Sequence, residues 1–285
     1  MRIDGRKPKV VCILGMHRSG TSMTARMLNL LGVHLGNPIE IISKGGQFNQ
    51  KGFWEHKGIT RTQQQLLRAL SYSWDTTRPL PERWWKSKKI EPHRKSLEAI
   101  IKRDFSKVKL WGWKDPRTCL LVPLWNELLL DKHVNSNYLI VVRNPLDVAR
   151  SLEARNSFSL EKSFQIWLLY TLSALYWTNG KKRMLIEYDD FLQNWEERIS
   201  DIVTKLQLQP PNQSVREKMS TFISPSLQHN CSTIEELKDC EKAPQQVIQT
   251  YQLVQKVRIA PTFLSSEECR KEIQVLYQSQ FGKRR

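Results

Sequence analysis

The segment Val10-Val-Cys-Ile-Leu-Gly15-Met-His-Arg-Ser-Gly20-Thr-Ser22 predicts a strand, a tight turn and the start of a helix. Lys9–Leu14 is a continuous run of β-branched and apolar residues, which is typical of a strand buried in a parallel sheet. From Thr21 to Leu31 apolar side chains recur at helical spacing, and Gly32 closes that helix. A loop of this kind points backbone N–H groups and the positive end of a helix at one place, which favours a phosphate or sulfate group.

The same alternation continues along the chain and predicts the fold class. Further strand-like runs lie at Lys109–Trp113, Tyr138–Val142 and Met184–Ile186, and helical patterns lie at Leu146–Arg155, Leu160–Thr178, Asp190–Leu206 and Ser266–Phe281. Strands that alternate with helices predict an α/β protein with a central parallel sheet flanked by helices. We expect one domain over residues 1–285, with a basic tail at 1–8 and a loop at Asn37–Gly52. Residues 209–285 have the weakest pattern, and in 209–260 we expect loops and one helix near Gln245–Val257.

Composition narrows the class of protein further. The chain has 285 residues, 40% of them hydrophobic, and a formal net charge of +17. Its five cysteines form no CxxC pair, and no apolar run is long enough for a membrane span, so we expect a soluble, cytoplasmic protein without disulfides. The charge favours an anionic ligand. No nucleic-acid-binding module accompanies it, so we expect no nucleic-acid partner.

The turn differs from the phosphate loop of nucleotide kinases. The two glycines keep the Walker spacing, but Thr21 stands where such loops carry a lysine, and the cation lies inside the loop as Arg18. A kinase also needs an acidic residue to hold Mg²⁺, and the sequence Ile186-Glu-Tyr-Asp189 is a poor match for that motif. A kinase therefore remains the alternative interpretation, and we expect no metal site.

This turn resembles the 5′-phosphosulfate loop of sulfotransferases that use 3′-phosphoadenosine-5′-phosphosulfate (PAPS), whose form is a Lys or Arg followed by Ser-Gly-Thr-Thr/Ser. The resemblance is to the bacterial branch that acts on carbohydrates and small molecules, and it implies a P-loop-like sulfotransferase architecture. It implies that PAPS is bound by the residues of the loop, with Arg18 at the leaving phosphate. These residues are His17, Arg18, Ser19, Gly20, Thr21 and Ser22.

A second segment resembles the 3′-phosphate motif of the same family. Arg143 and Ser151, in Val141-Val-Arg-Asn-Pro-Leu-Asp-Val-Ala-Arg-Ser151, match that motif in residue type and separation. An arginine at a strand end offers a fork of donors suited to phosphate. Both phosphate motifs follow strands, and ligands bind open α/β sheets at the carboxyl ends of strands. Tyr188 matches a tyrosine that lies near the adenine in relatives.

Sulfuryl transfer requires a general base, and the sequence leaves four candidates open. Glu55, in Lys51-Gly-Phe-Trp-Glu-His56, ranks first, because sulfotransferases acting on carbohydrates or peptides carry a Glu after the phosphate-loop helix. Its alternative role is that of a carboxylate at the N-terminus of a helix over Ile59–Leu70. Asp115, in the segment Trp111-Gly-Trp-Lys-Asp-Pro-Arg117, ranks second, and its alternative role is to anchor Lys114 or Arg117. His17 and His56 are the other two candidates, and Lys114 is a further candidate for the catalytic machinery.

The acceptor is expected to be a small molecule or carbohydrate. We expect its hydroxyl or amine to be sulfated, and we expect it to enter between the loop Asn37–Gly52 and the C-terminal region. The sequence does not distinguish O- from N-sulfation. Several tryptophans are candidates for a stacking wall beside the acceptor, with core packing as their alternative role: Trp54, Trp84, Trp85, Trp111 and Trp113.

Overall fold

The strand predicted at Lys9–Leu14 forms β1 with the same bounds, and it lies inside a four-stranded parallel sheet. The structure is a computed structural model that describes residues 8–46, 49–130, 132, 134–223 and 230–282. The other strands are β2 (Leu110–Lys114), β3 (Asn135–Val142) and β4 (Arg183–Glu187), and their order in the sheet is β2-β1-β3-β4. All three neighbouring pairs are parallel, so the carboxyl ends of the strands meet at one edge.

Helices cover both faces of this sheet. They are α1 (Thr21–Leu30), α2 (Lys57–Ala69), α3 (Glu91–Ile100), α4 (Thr118–Leu130), α5 (Pro145–Asn156), α6 (Leu160–Trp177), α7 (Tyr188–Gln193), α8 (Trp195–Leu206), α9 (Gln213–Phe222), α10 (Ile234–Asp239), α11 (Gln245–Ile259) and α12 (Glu267–Phe281). Side chains of β1 alternate between the two cores. Val10 and Leu14 belong to the larger core with α4, α5 and α6, whereas Val11 and Ile13 belong to the smaller core with α1 and α8. The predicted α/β class, one domain with a parallel sheet flanked by helices, is confirmed.

The described structure corrects the sequence prediction in two places. The helix predicted at Asp190–Leu206 is two helices, α7 and α8, which are separated at Asn194. The segment 209–260 holds α9 and α10 in addition to the predicted α11. Both additional helices begin at side-chain caps: Asn212 accepts a hydrogen bond from Val215 N, and Thr233 forms a capping box with Glu236.

Other predicted features have simple outcomes. In the loop predicted at Asn37–Gly52, Pro38–Glu40 forms a short 3-10 helix, and residues 47 and 48 lie outside the described residues. Most of the predicted basic tail, residues 1–7, also lies outside them. All five cysteines are unpaired thiols. Within the described ranges, no helix combines the length and apolar character needed to cross a membrane.

Candidate active site

The two predicted phosphate motifs lie side by side at the carboxyl edge of the sheet. β1 leads into the turn at 15–20 and its neighbour β3 leads into Arg143, so parallel pairing brings the two strand ends together. Arg143 Nη1 donates to the carbonyl oxygen of Arg18 at 3.4 Å. The guanidinium of Arg143 therefore lies on the same side of the sheet as the turn.

The turn itself has a backbone that only particular residues adopt at low cost. Gly20 has a φ of +84°, and a Cβ at this position would lie 2.1 Å from the ring of Tyr188. Arg18 has a φ of +71°, which is uncommon for a residue with a side chain and is associated with functional sites. Helix α1 starts directly after Gly20 without a side-chain cap, so the N–H groups of its first turn are not used by a capping side chain. Ser19 Oγ is fully buried and has no hydrogen-bond partner among the residues that the structure describes.

Direct contacts join the side chains of the two motifs. Arg18 Nε donates to Ser151 Oγ at 2.8 Å, and the guanidinium carbon of Arg143 lies 4.8 Å from the ring centroid of Tyr188. Burial, and secondarily the neighbouring cations Arg155 and Arg143, lower the pKa of Arg18 to about 10, so it stays charged at neutral pH. Four predicted ligands of one nucleotide, Arg18, Arg143, Ser151 and Tyr188, thus form one contact network.

The C-terminal third of the chain contacts this network. The sequence did not predict these contacts. Arg143 Nη2 donates to the carbonyl oxygen of Asn230 at 2.6 Å. Asp147, which is fully buried, accepts hydrogen bonds from both the backbone N and the hydroxyl of Ser232, and one of its oxygens lies 3.6 Å from Arg143 Nε. The segment after residue 230 is therefore attached to the strand end that carries Arg143.

A second network surrounds Glu55. Lys114, which is 2% exposed at the end of β2, donates to Glu55 Oε1 at 2.7 Å and to Ser22 Oγ at 3.2 Å. Asn49 Nδ2 also donates to Ser22 Oγ at 3.2 Å. The first-ranked base candidate is thus connected through Lys114 to the last residue of the predicted phosphosulfate loop.

Asp115 has a different environment. It is fully buried and does not line the cavity described below. One of its oxygens accepts from Gln63 Nε2 at 2.7 Å, and the other accepts from the backbone N and the guanidinium of Arg117 at 3.0 and 2.9 Å. Burial raises its pKa, and the charge of Arg117 acts in the opposite direction. Its contacts are those of an anchor for Arg117.

His56 has hydrogen-bond partners at both ring nitrogens. Its Nδ1 accepts from Ile59 N at 3.3 Å and caps α2, so Nε2 carries the proton and donates to Asp104 at 3.0 Å. Both ring nitrogens are therefore engaged, and burial lowers the pKa of His56 despite the nearby carboxylate of Asp104. His56, and not Glu55, is the capping residue of this helix.

His17 lies at the cavity wall with an unused nitrogen. Its ring packs 4.7 Å from the ring of Trp74 and 5.9 Å from the ring of Tyr170, and its buried Nε2 has no hydrogen-bond partner within the described part of the chain. Burial lowers the pKa of His17 well below its usual value, and the charges of Arg117 and Arg155 lower it further. The imidazole is therefore neutral at physiological pH.

These groups surround a cavity of about 230 Å³ at the strand ends. Five cations line it, namely Arg18, Lys51, Lys114, Arg143 and Arg155, and among the described lining residues Glu55 is the only carboxylate. The predicted ligands His17, Gly20, Thr21, Ser22 and Tyr188 also line it. Such an excess of positive charge in a partly enclosed space favours an anion with several charges.

Sequence reasoning missed some lining residues and misplaced others. Lys51, Arg155 and Phe222 line the cavity, and only Arg155 had a usable signal, because it follows Ser151 by one helical turn. The predicted tryptophan wall is wrong for Trp84, Trp111 and Trp113, which are 1–5% exposed in the core. Trp85 packs against that core, and Trp54 packs between Arg26 and Phe222. In the part of the chain that the structure describes, no three His, Cys, Asp or Glu side chains are grouped as a metal site.

Some solved structures have a similar backbone fold. One is the sulfotransferase domain from the Synechococcus PCC 7002 olefin synthase, with 16% sequence identity and a TM-score of 0.48 over 90% of this chain and 98% of that one. Another is the sulfotransferase domain from the curacin biosynthetic pathway, with 14% identity and a TM-score of 0.44 over 96% and 98%. No protein-family model and no curated protein matches the sequence. Likeness at this level does not indicate what this chain binds or transfers.

Proposed function

We propose that this protein is a sulfotransferase that moves the sulfuryl group of PAPS to a hydroxyl or amine of a saccharide or small polar metabolite. One observation carries the proposal: Arg18 contacts both Ser151 and Arg143, so the two motifs that resemble the two phosphate sites of one nucleotide meet at one cavity. The fold alone would not support this function, since one fold hosts many activities.

The residues present fit such a donor. Arg143 and Ser151 would hold the 3′-phosphate, Ser19, Gly20, Thr21 and Ser22 would hold the phosphosulfate, and Tyr188 would lie near the adenine. The hydroxyl of Ser19, which has no partner among the described residues, and the uncapped start of α1 supply donors that an anion can use. Four of the lining cations, Arg18, Lys51, Lys114 and Arg143, offset the charge of a molecule with several phosphate and sulfate oxygens.

When bound, PAPS supplies an activated sulfuryl group, whose bond to the phosphate oxygen breaks as a bond to the acceptor oxygen or nitrogen forms. Glu55 takes the proton that the acceptor loses, since it is the carboxylate among the described lining residues. Lys114, which bridges Glu55 and Ser22, and Arg18 stabilise the negative charge that develops on the leaving phosphate. Asp115 holds Arg117 and does not exchange protons with the acceptor.

The same geometry disfavours a kinase. Thr21 occupies the position of the lysine that such enzymes direct at the β- and γ-phosphates. Among the described lining residues, the one carboxylate is bonded to Lys114 at 2.7 Å and is therefore a poor ligand for Mg²⁺.

Thermal unfolding with and without ligands tests the proposal. We expect 3′,5′-diphosphoadenosine in EDTA to raise Tm, because a ligand at about 100 times its Kd adds about 2.7 kcal/mol of stability. ATP with Mg²⁺ should have little effect. A strong response to Mg-ATP with none to the diphosphate would show a kinase instead. Transfer of labelled sulfate from PAPS, detected by mass, then tests the reaction itself.

A further inference from the structure

Arg155 differs from the other cations of the cavity in what it contacts. Four lining cations bond to other elements of the protein: Arg18 to Ser151, Arg143 to Asn230, Lys114 to Glu55 and Lys51 to Thr221. Arg155 Nε donates to the side chain of the adjacent Asn156 at 2.6 Å. Within the described ranges no carboxylate lies within 4 Å of its guanidinium.

The position of this guanidinium is fixed by an aromatic wall. Its carbon lies 5.4 Å from the ring centroid of Trp74, which stacks on Phe158 at 5.7 Å and contacts His17 at 4.7 Å. The hydroxyl of Tyr170 donates to the carbonyl oxygen of Trp74 at 2.6 Å and holds the wall in place. An arginine that is stacked on a ring keeps the free edges of its planar fork for an oxyanion.

The surroundings of Arg155 leave its charge uncompensated. Burial lowers its pKa, as expected of a cation that loses water without gaining a counter-ion. His17, which lies on the other side of Trp74, is neutral and does not act as a counter-ion. Arg18 lies close enough to repel it. An anion bound at Arg155 would relieve this cost, since buried charges are stable when they are paired.

The proposed function assigns no contact with PAPS to the guanidinium of Arg155. In the proposed function Arg143, Ser151 and the turn at 17–22 bind the two ends of PAPS, and Arg143 lies against Tyr188 and not against Trp74. Arg155 lies one turn beyond Ser151 on α5, at the Trp74 wall. It lines the same cavity and is not among the residues assigned to the donor.

The geometry points to an acceptor that carries an anionic oxygen group, a carboxylate or a sulfate, in addition to the hydroxyl or amine that is sulfated, with Arg155 as the residue that binds this group. The inference rests on the proposed function. It narrows the substrate class to hydroxy or amino acids and acidic saccharides, and it makes Arg155 a specificity-determining residue.

Matched pairs of acceptors test the inference. A panel of sugar acids and hydroxybenzoates is compared with the corresponding amides, first for binding to the complex with 3′,5′-diphosphoadenosine and then for transfer from PAPS. We expect wild-type protein to prefer the acids by about 10- to 100-fold, the range of a charge-assisted pair. Arg155→Gln should remove the preference, and Arg155→Lys should retain part of it. Arg258→Gln is a matched control, because Arg258 also donates to an amide side chain but does not line the cavity.

The outcomes separate this inference from the proposed function. If acids bind and react no better than amides across the panel, the inference is wrong even when the diphosphate binds tightly. If Arg155→Gln weakens binding of the diphosphate by more than about 10-fold, Arg155 belongs to the donor site and the inference is also wrong. Failure of the diphosphate to bind wild-type protein would contradict the proposed function itself.

Discussion

In the part of the chain that the structure describes, both ends of the parallel sheet carry a basic hollow, and the two hollows differ in their surroundings. At the carboxyl ends lies the cavity of about 230 Å³. At the amino ends of β1, β3 and β4 lies a larger groove of about 430 Å³, whose cations are Lys9, Lys181, Lys182, Arg183 and Lys205. The two hollows have the same number of cations, and their volumes differ by about a factor of two.

The two hollows differ in which ends of the helices they meet. At the amino end Arg183 donates to the carbonyl oxygens of Leu175 and Leu264, and Lys9 donates to those of Leu206 and Gln207. Two of these acceptors lie in the last turns of α6 and α8, where carbonyl groups lack partners within the helix. In a parallel α/β fold the carboxyl edge instead meets helix N-termini, whose N–H groups attract anions. Basic residues therefore pair with the C-termini of α6 and α8 at the amino edge, whereas at the carboxyl edge they line a cavity beside the uncapped start of α1.

The carboxyl end also carries groups that cost stability. Arg18 has a positive φ, and among the described residues the buried hydroxyl of Ser19 has no hydrogen-bond partner and Arg155 has no counter-ion within 4 Å. Such costs persist where the surrounding structure enforces them, commonly at functional sites. We therefore expect changes at the carboxyl end to affect function most and changes at the amino end to affect stability most.

The largest expected effect is on catalysis at the carboxyl end. Glu55→Gln should lower the rate of sulfuryl transfer by about 10²- to 10⁴-fold, the usual contribution of a general base. The affinity for 3′,5′-diphosphoadenosine should stay equal or increase, because Lys114 loses its carboxylate partner and becomes free for an anion. Single-turnover transfer and calorimetric binding measure the two quantities separately.

Asp115→Asn is the comparison variant for this prediction. Its side chain holds Gln63 and Arg117 and does not line the cavity, so the amide should reduce the rate much less than Glu55→Gln does. Wild-type rates in Glu55→Gln, with a large loss in Asp115→Asn, would reverse the assignment of the base.

The sequence predicted the fold more completely than it predicted the candidate site. The strand and turn at Lys9–Gly20 were predictable because buried strands and glycine turns have local patterns. Whether Glu55 or Asp115 faces the cavity was not predictable, because it depends on how residues far apart in the sequence, Gln63 and Lys114, pack against them. The contact between Arg143 and Asn230 was not predictable for the same reason, because these two residues are 87 positions apart in the sequence.

A pH-dependent stability effect is the next expected effect. Burial, and secondarily the charge of Asp189, raise the pKa of Glu187 to about 7 at the carboxyl end of β4. Between the ordinary value of about 4.5 and this value the unfolded chain loses a proton that the folded chain keeps, so stability falls as pH rises through this window. Glu187→Gln removes this dependence, because an amide can accept from Asp190 N and donate to Tyr251.

Denaturant unfolding at several pH values measures this effect. The free energy of unfolding of Glu187→Gln relative to wild type should increase by up to about 3 kcal/mol between pH 4.5 and 7.5. Glu196→Gln, at an exposed position of α8, serves as the control and should show no such trend. A constant difference between Glu187→Gln and wild type over this range would show that Glu187 is ionised in the folded protein throughout.

The smallest expected effects come from a direct comparison of the two ends of the sheet. One arginine is replaced by glutamine at each end. Arg143→Gln should weaken binding of 3′,5′-diphosphoadenosine by about 1.5–3 kcal/mol, the contribution of a charge-assisted hydrogen bond, and should also lower Tm, because the carbonyl oxygen of Asn230 loses a donor and the buried carboxylate of Asp147 loses its nearby cation. Arg183→Gln should leave this affinity within about 2-fold, because interactions with distant charges are screened at physiological ionic strength. It should instead lower stability by about 1–3 kcal/mol, because the buried carbonyl groups of Leu175 and Leu264 lose their donor.

Both variants remove one positive charge from the same sheet, so any effect of net charge alone is equal in the two. Calorimetric titration of the diphosphate and thermal unfolding of the free protein, both at 50 and 300 mM salt, then report affinity and stability for each. A loss of affinity that is equal in the two variants and disappears at the higher salt would mean that the overall positive field attracts the ligand. A loss confined to Arg143→Gln at both salt concentrations would mean that the guanidinium of Arg143 itself binds the ligand.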